Sequence, residues 1–284
     1  MTQYEKVLVT GGSGRIGRHL VEMLRGRCQV TVFDSRPPAA NVAYIQGDLL
    51  DLDSVKRAVA GQDAIIHLAA ALMFHKLPDE KLVSINVQGT WHVMQAALDA
   101  GVRKVVHCSS ECTTGVVIPD PSRPPRYLPV DEDHPCYPAE PYGISKLAAE
   151  RVAQSFARRG AFPVAVVRPV LVATETVSGS LAERGRDPKN IDLWGWVDPK
   201  DVADAFRLAL EHDGQPYEVF FASAPNTLSD TPTLDLVRAY YGHLPEIRKP
   251  ELYRRNPTSA LFDISRARER LGFHPHSDWR RLQT

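Results

Sequence analysis

The run Thr10-Gly11-Gly12-Ser13-Gly14-Arg15-Ile16-Gly17 constrains this chain more than any other stretch of it. A short apolar strand, Lys6–Thr10, leads straight into it. A helical pattern over Arg15–Arg25 follows, and a second strand, Gln29–Asp34, closes on an acid. Strand, glycine turn, helix and acid-terminated strand, in that order, form a unit that holds a dinucleotide. Gly11 turns tightly off the strand, Gly14 lets backbone approach a pyrophosphate, and Gly17 lets the helix pack on the sheet. The helix N-terminus aims unpaired N–H groups at the phosphates. Asp34 stands where its carboxylate accepts both hydroxyls of an adenosine ribose and repels a 2′-phosphate, which favours NAD over NADP. Arg36, two residues on, pulls the other way, since a guanidinium receives a phosphate.

The first half of the chain repeats this alternation. Further strands are expected at Ala43–Gln46, Ala64–Leu68 and Lys104–Cys108, with helices at Asp51–Ala60 and Lys81–Ala100. Fully apolar strands flanked by helices indicate a parallel sheet covered on both faces. A proline-rich break spans Pro119–Pro141. Pro141 suits the first turn of a helix running to about Arg159, and a strand at Val164–Arg168 stops at Pro169. Residues 170–195 turn polar and glycine-containing. Asp198–Glu211 reads as helix, Glu218–Ala222 as strand, and Thr233–Tyr241 and Ser265–Leu271 as short helices. The expected fold is α/β: a Rossmann-type doubly wound parallel sheet over residues 1–169. A small C-terminal substrate lobe, 170–284, sends segments back to that core.

Composition narrows the partners. Basic and acidic residues balance at 34 each, which disfavours nucleic acid and anionic membrane surfaces. The 284 residues suit one large α/β domain with a small appendage. Cys28, Cys108, Cys112 and Cys136 have no zinc spacing, so no metal site and no disulfide is expected; Cys28 and Cys108 read as small core residues. No apolar stretch is long enough for a bilayer and no signal peptide opens the chain. The expected location is the cytoplasm.

The chemistry concentrates at two places. Tyr142 and Lys146, four apart at a helix start, share one face. A phenol, with a reference pKa of about 10, is a poor base at neutral pH, and a neighbouring ammonium favours the phenolate. The lysine also reaches a ribose hydroxyl. Ser109-Ser110 closes the Lys104–Cys108 strand, at the sheet end where open α/β sheets bind ligands. A serine hydroxyl there holds a substrate hydroxyl or carbonyl while the tyrosine moves the proton.

These residues resemble an extended short-chain dehydrogenase/reductase of the NAD-dependent epimerase/dehydratase family, over nearly the full length. Gly11 to Gly17, with Arg15 and Ile16, resembles the family's nucleotide turn. Asp48-Leu49 sits where the family contacts adenine, and His67-Leu68-Ala69-Ala70 resembles the segment beneath the cofactor. Asn86-Val87-Gln88-Gly89-Thr90 is similar to the central-helix motif, and Tyr142-Gly143-Ile144-Ser145-Lys146 to the catalytic helix. Arg168-Pro169, Asp201-Val202-Ala203, Asp263-Ile264-Ser265 and Leu271-Gly272-Phe273 match later landmarks. The resemblance implies catalysis by Ser110, Tyr142 and Lys146, with NAD held by these motifs together with Asp34, Asn86, Ser109 and Arg168. It also implies a homodimer through the helices near Asn86–Ala100 and Ser145–Arg159.

Two departures bear on substrate. After the two serines comes Glu111-Cys112-Thr113-Thr114-Gly115, without the further hydroxyl and Tyr-Gly common in the family; Glu111, Cys112 and Thr113 are therefore candidate substrate contacts. The C-terminal lobe is also shorter than in sugar-nucleotide enzymes, which suits a smaller substrate. Oxidation of a secondary hydroxyl on a small sugar, sugar acid or polar alcohol is the leading function. An NAD-retaining epimerase and a non-catalytic NAD-binding protein are the alternatives. His75 is read as a substrate-side loop residue, and His67 as a satisfied strand-end histidine rather than a base. Arg184 and Arg186 admit two readings, an anion clamp or a solvated face. Trp194 and Trp196 are expected to share one face of an extended stretch and pack the small lobe.

Overall fold

The computed structural model describes residues 3–117, 120, 122–174 and 180–283. Seven parallel strands form one sheet: β1 (Lys6–Thr10), β2 (Gln29–Asp34), β3 (Ala43–Gln46), β4 (Ala64–His67), β5 (Lys104–Cys108), β7 (Val164–Pro169) and β8 (Tyr217–Ala222). Their order is β3-β2-β1-β4-β5-β7-β8. The chain winds outward from β1 in one direction and from β4 in the other. The strand order therefore reverses between them, and open α/β sheets bind ligands at the carboxyl side of such a point. The central strands are mostly apolar and buried along their whole length, as in sheets covered on both faces.

Helices α1 (Gly17–Leu24) and α7 (Pro199–Glu211) pack together on one face. Helices α2 (Leu52–Val59), α4 (Gly89–Asp99) and α5 (Pro141–Arg158) cover the other. Each face has its own apolar cluster. Helix α7 and strand β8 belong to this core. The remaining lobe carries the short helices α6 (Leu181–Arg186), α8 (Thr233–Tyr241), α9 (Pro250–Arg255) and α10 (Ser265–Leu271). A two-residue strand within the proline-rich break, β6 (Tyr127–Leu128), pairs with β9 (Glu246–Ile247) and ties the break to the lobe.

Two local expectations need correction. The helix expected over Lys81–Ala100 is divided into α3 (Asp79–Val83), a π-helical turn over Ser84–Gln88, and α4. Within that turn Asn86 is buried, with its side-chain oxygen accepting the Ala71 amide at 2.7 Å and its Nδ2 donating to Ala71 O at 3.0 Å. Trp194 and Trp196 are buried as expected, but not on one face of an extended stretch. Leu193 and Trp194 adopt φ of 47° and 59°, and the two indoles donate in separate places, to Asp187 O and Asn226 O. Cys28 is half-buried and Cys108 buried, and all four cysteines are free. No helix among the described residues is long and apolar enough to cross a membrane. Nor do they contain a cluster of metal-ligating side chains.

Candidate active site

The nucleotide turn is held from both sides. Gly11 has φ of 72° and donates its N–H to Phe33 O at 2.8 Å. A Cβ at Gly11 would lie 2.6 Å from Ala69 N, so only glycine lets the turn lie against the segment after β4. Beyond it, Ser13 N donates to Asp34 Oδ2 at 3.0 Å and Arg36 N to Asp34 Oδ1 at 3.1 Å. Oδ1 also meets Ser35 Oγ at 3.4 Å, while Oδ2 retains acceptor capacity, so Asp34 is fixed in place and still able to accept a ribose hydroxyl. A Cβ at Gly14 would meet only Gly11 O within 4 Å, which leaves that side of the turn open for a phosphate. These features fit a dinucleotide.

Around the turn, Leu68 N donates to Thr10 O and Ala69 N to Thr10 Oγ1. Asp48 Oδ1 accepts the Leu50 amide, and the Leu49 carbonyl meets His92 Nδ1 at 2.8 Å. Ala70 follows in the same half-buried segment, and Arg15 and Ile16 sit at the start of α1. His75 lies beside the charges of Arg15 and Arg36, and its Nδ1 accepts the Leu72 amide.

The catalytic candidates come together at the carboxyl end of β5. Ser110 caps a 3-10 turn, Glu111–Thr114, with its Oγ accepting the Cys112 amide at 3.2 Å. Helix α5 begins beside this turn. Glu140 caps it, accepting the Tyr142 amide at 2.7 Å and also the Gly143 amide. A Cβ at Gly143 would lie 2.6 Å from Cys112 O, so glycine lets the helix start touch the serine loop. This places the Tyr142 phenol within hydrogen-bonding reach of Ser110. Lys146, one turn on, donates to Cys108 O at 2.6 Å, and its Nζ lies 6.0 Å from the Tyr142 ring centroid. Burial pulls the Lys146 ammonium below its ordinary pKa. Burial, with Cys112, Cys108 and Glu111 around it, pushes the Tyr142 phenol well above its own. The expectation that Lys146 tips Tyr142 to phenolate therefore yields to desolvation, and the phenol rests protonated.

The other candidates divide. Glu111 is buried with its carboxyl against Ser110 Oγ at 2.7 Å. Burial is the main cause that raises its pKa to about 8, and Asp192 adds to it. Asp192 is in turn paired with Arg184 at 2.6 Å, so Arg184 serves an acid of its own lobe. Thr113 points inward, its hydroxyl donating to Ser110 O at 2.9 Å, and Cys112 is buried. Ser109 and Arg168 both direct their side chains to Glu150. Ser109 Oγ donates to Glu150 Oε1 at 2.5 Å, Arg168 Nε to the same oxygen at 2.8 Å, and Arg168 Nη2 to Oε2 at 2.7 Å.

A buried chain of hydrogen bonds joins the two halves. Thr90 Oγ1 donates to Asn86 O at 2.6 Å, so His67 Nε2, 3.2 Å from Thr90 Oγ1, is the donor there. His67 Nδ1 then accepts from Thr10 Oγ1 at 2.7 Å. Burial lowers the His67 pKa to about 3, which keeps the ring neutral. From Asn86 the chain continues through Nδ2 to Ser145 Oγ at 2.9 Å, and from Ser145 to Tyr142 O at 2.7 Å. Reading the sequence alone missed Glu150 and Asp192. Each sits in an ordinary helical or polar context, and only tertiary placement gives it its partner.

Residues 7–221 match the model of the NAD dependent epimerase/dehydratase family. A UDP-glucose 4-epimerase of Streptococcus mutans is 27% identical over 96% of the chain and 92% of its own length. A uronate dehydrogenase of Pseudomonas putida is 28% identical over 79% and 78%. A short-chain dehydrogenase/reductase superfamily protein from Agrobacterium tumefaciens, solved with bound NAD, superposes with a TM-score of 0.73 at 25% identity, covering 98% and 94% of the two chains.

Proposed function

The chain belongs to the NAD dependent epimerase/dehydratase family, and on that premise we propose that it reversibly oxidises a secondary hydroxyl of a small sugar, sugar acid or related polar alcohol. The observation that carries this reading is the convergence of Ser110, Tyr142 and Lys146 at the carboxyl end of β5. NAD, when bound, accepts the hydride. Asp34 holds the ribose hydroxyls and the Gly11–Gly17 turn receives the pyrophosphate. Lys146 anchors the helix to Cys108 O and presents its remaining protons to the site. Ser110 orients the substrate oxygen, and Tyr142 exchanges the proton with it. The short lobe around α6 and α8 suits a substrate without a large nucleotide handle, and the likeness to a uronate dehydrogenase supports a sugar acid.

Epimerisation is the second reading, favoured by the full-length likeness to UDP-glucose 4-epimerases. Net NADH separates the two. A dehydrogenase accumulates NADH, read by its absorbance, from hexuronates, polyols or UDP-hexoses supplied with NAD; an epimerase converts its substrate with none. Tyr142→Phe is expected to lower either turnover by about 10²-fold or more while preserving NAD binding. An unchanged rate would remove Tyr142 from the chemistry.

The proposed assembly is a homodimer through α4 and α5. Trp91 and Ile144 stand 45% and 46% exposed on these helices, an unusual placement for large apolar side chains in adjacent elements.

A further inference from the structure

Along the β8 edge of the sheet, on the face that α5 covers, lies a cleft of about 620 Å³. Helices α5 and α10, strands β7 and β8 and the loop at residues 132–136 line it. Ser110, Tyr142 and Lys146 do not. Glu150, at one wall, stands eight residues beyond Tyr142 on α5, roughly 12 Å along the helix. The cleft is therefore separate from the catalytic candidates.

Its floor holds donors without acceptors. Arg168 is 4% exposed, and its guanidinium is only partly used. Nε and Nη2 reach Glu150, while Nη1 has no hydrogen-bond partner among the described residues. The buried Tyr217 hydroxyl has none either. Burial pushes that phenol above its ordinary pKa, so it stays a donor, and the charges of Arg168 and Arg151 both act on it. Arg151 is exposed on α5 and meets an amide oxygen, Gln154 Oε1 at 3.1 Å, rather than an acid. The acids of the cleft are engaged elsewhere. Glu150 holds Arg168 and Ser109, Glu218 holds Arg270 and the Gln215 amide, and Glu132 and Asp133 share Arg266. What is left over is donor capacity, from Arg168, Tyr217 and Arg151. Buried donors are rarely left unpaired in a folded protein, so these call for a shared acceptor.

We propose that the cleft binds a tetrahedral oxyanion, phosphate or the phosphate group of a small phosphomonoester, at Arg168 Nη1, the Tyr217 hydroxyl and Arg151. The edge of the Arg168 guanidinium that suits a planar carboxylate is spent on Glu150. The remaining donors come from three elements, β7, β8 and α5. A phosphate group offers three acceptor oxygens, one for each side chain, whereas a carboxylate offers two. The volume of the cleft falls in the range of small-molecule sites, so it has room for the organic part of an ester beside the anion.

The test uses the protein saturated with NAD, which keeps phosphate out of the Gly11–Gly17 turn. Inorganic phosphate, glycerol 3-phosphate and acetate are titrated at constant ionic strength and followed by calorimetry. Saturable binding of phosphate or glycerol 3-phosphate is expected, with none of acetate. Tighter binding of glycerol 3-phosphate identifies an ester as the ligand, and tighter or equal binding of phosphate identifies the free anion. Tyr217→Phe and Arg151→Gln are each expected to weaken binding by about tenfold or more, the scale of a hydrogen bond to a charged group, with NAD affinity unchanged. Tyr217→Phe removes only an oxygen that has no partner, so in phosphate-free buffer it is expected to melt as the parent does. If it fails to fold, Arg151→Gln, a change at an exposed side chain, decides alone. No saturable binding of either phosphate compound, acetate binding as tightly as phosphate, or undiminished binding in a folded variant overturns the proposal.

Discussion

Glu150→Ala is expected to carry a large cost to this fold. The Glu150 carboxylate is 1% exposed and receives three hydrogen bonds, two from the Arg168 guanidinium and one from Ser109 Oγ. Truncation leaves a guanidinium that is 4% exposed without its counter-charge, and Arg168 Nη1 already has no hydrogen-bond partner. Stripping one member from a buried pair costs about 3–5 kcal/mol, because the remaining charge cannot be rehydrated. Urea unfolding reads the loss as a midpoint shift of about 1 M or more, taking a slope of about 3 kcal/mol/M. Replacing both members, Glu150→Met with Arg168→Met, removes the stranded charge and is expected to recover much of the loss. A cost below about 1 kcal/mol for Glu150→Ala would refute the reasoning, since it would mean that Arg168 finds water or another acid. Ser109 shares the carboxylate, so Glu150→Ala should also loosen the serine loop and lower turnover beyond the fraction unfolded.

Three further outcomes are expected. NAD should bind more tightly than NADP, and Asp34→Ala should narrow the gap by removing the charge that repels a 2′-phosphate; a fluorescence titration showing NADP equal or tighter in the parent would mean that Arg36 governs the choice. Trp91→Glu or Ile144→Glu should yield monomers in sedimentation velocity from a parent that sediments as a dimer, and a monomeric parent at micromolar concentration ends the dimer proposal. Glu111 gives a pH effect of definite sign. Its native pKa is raised to about 8 from an ordinary value of 4.5, so the native state holds an extra proton between the two. That contribution is fully present at low pH and is lost as pH rises through 8. Relative to the parent, Glu111→Gln should therefore gain stability with rising pH, at roughly 1.4 kcal/mol per unit at its steepest. A pH-independent difference in urea unfolding would count against the buried carboxyl.

Local chemistry made the cofactor half of this molecule readable from sequence. A glycine at positive φ and a strand ending on an acid are constraints that act within a few residues, so the Gly11–Gly17 turn and Asp34 stand where the pattern puts them. The i, i+4 spacing placed Tyr142 and Lys146 equally well. What escaped was non-local. Glu150, one turn beyond Lys146, looks like any acid on a helix until Arg168, on the next strand, is folded against it. The two-residue strands β6 and β9 bury too few side chains to leave a period in the sequence. The π-helical turn is set by what Asn86 finds across the core at Ala71 and Ser145, not by the propensity of Ser84–Gln88.

The buried polar chain through His67 explains why the two halves of the site keep one geometry. Thr10 ends β1, His67 ends β4, and the sheet register sets them opposite one another. Thr10 Oγ1 accepts the Ala69 amide, and Ala69 is the residue against which Gly11 lies. At the other end, Asn86 holds Ser145, whose hydroxyl holds the Tyr142 carbonyl. A displacement of the nucleotide turn therefore strains a row of bonds that ends at the catalytic helix, with each donor and acceptor already assigned. The ring stays neutral far below physiological pH because burial holds the His67 pKa at about 3. Protonation would turn Nδ1 from acceptor to donor and oppose the Thr10 hydroxyl. A neutral, fully partnered histidine is thus a fixed spacer between cofactor and tyrosine, and the titrating part of the site is left to Glu111.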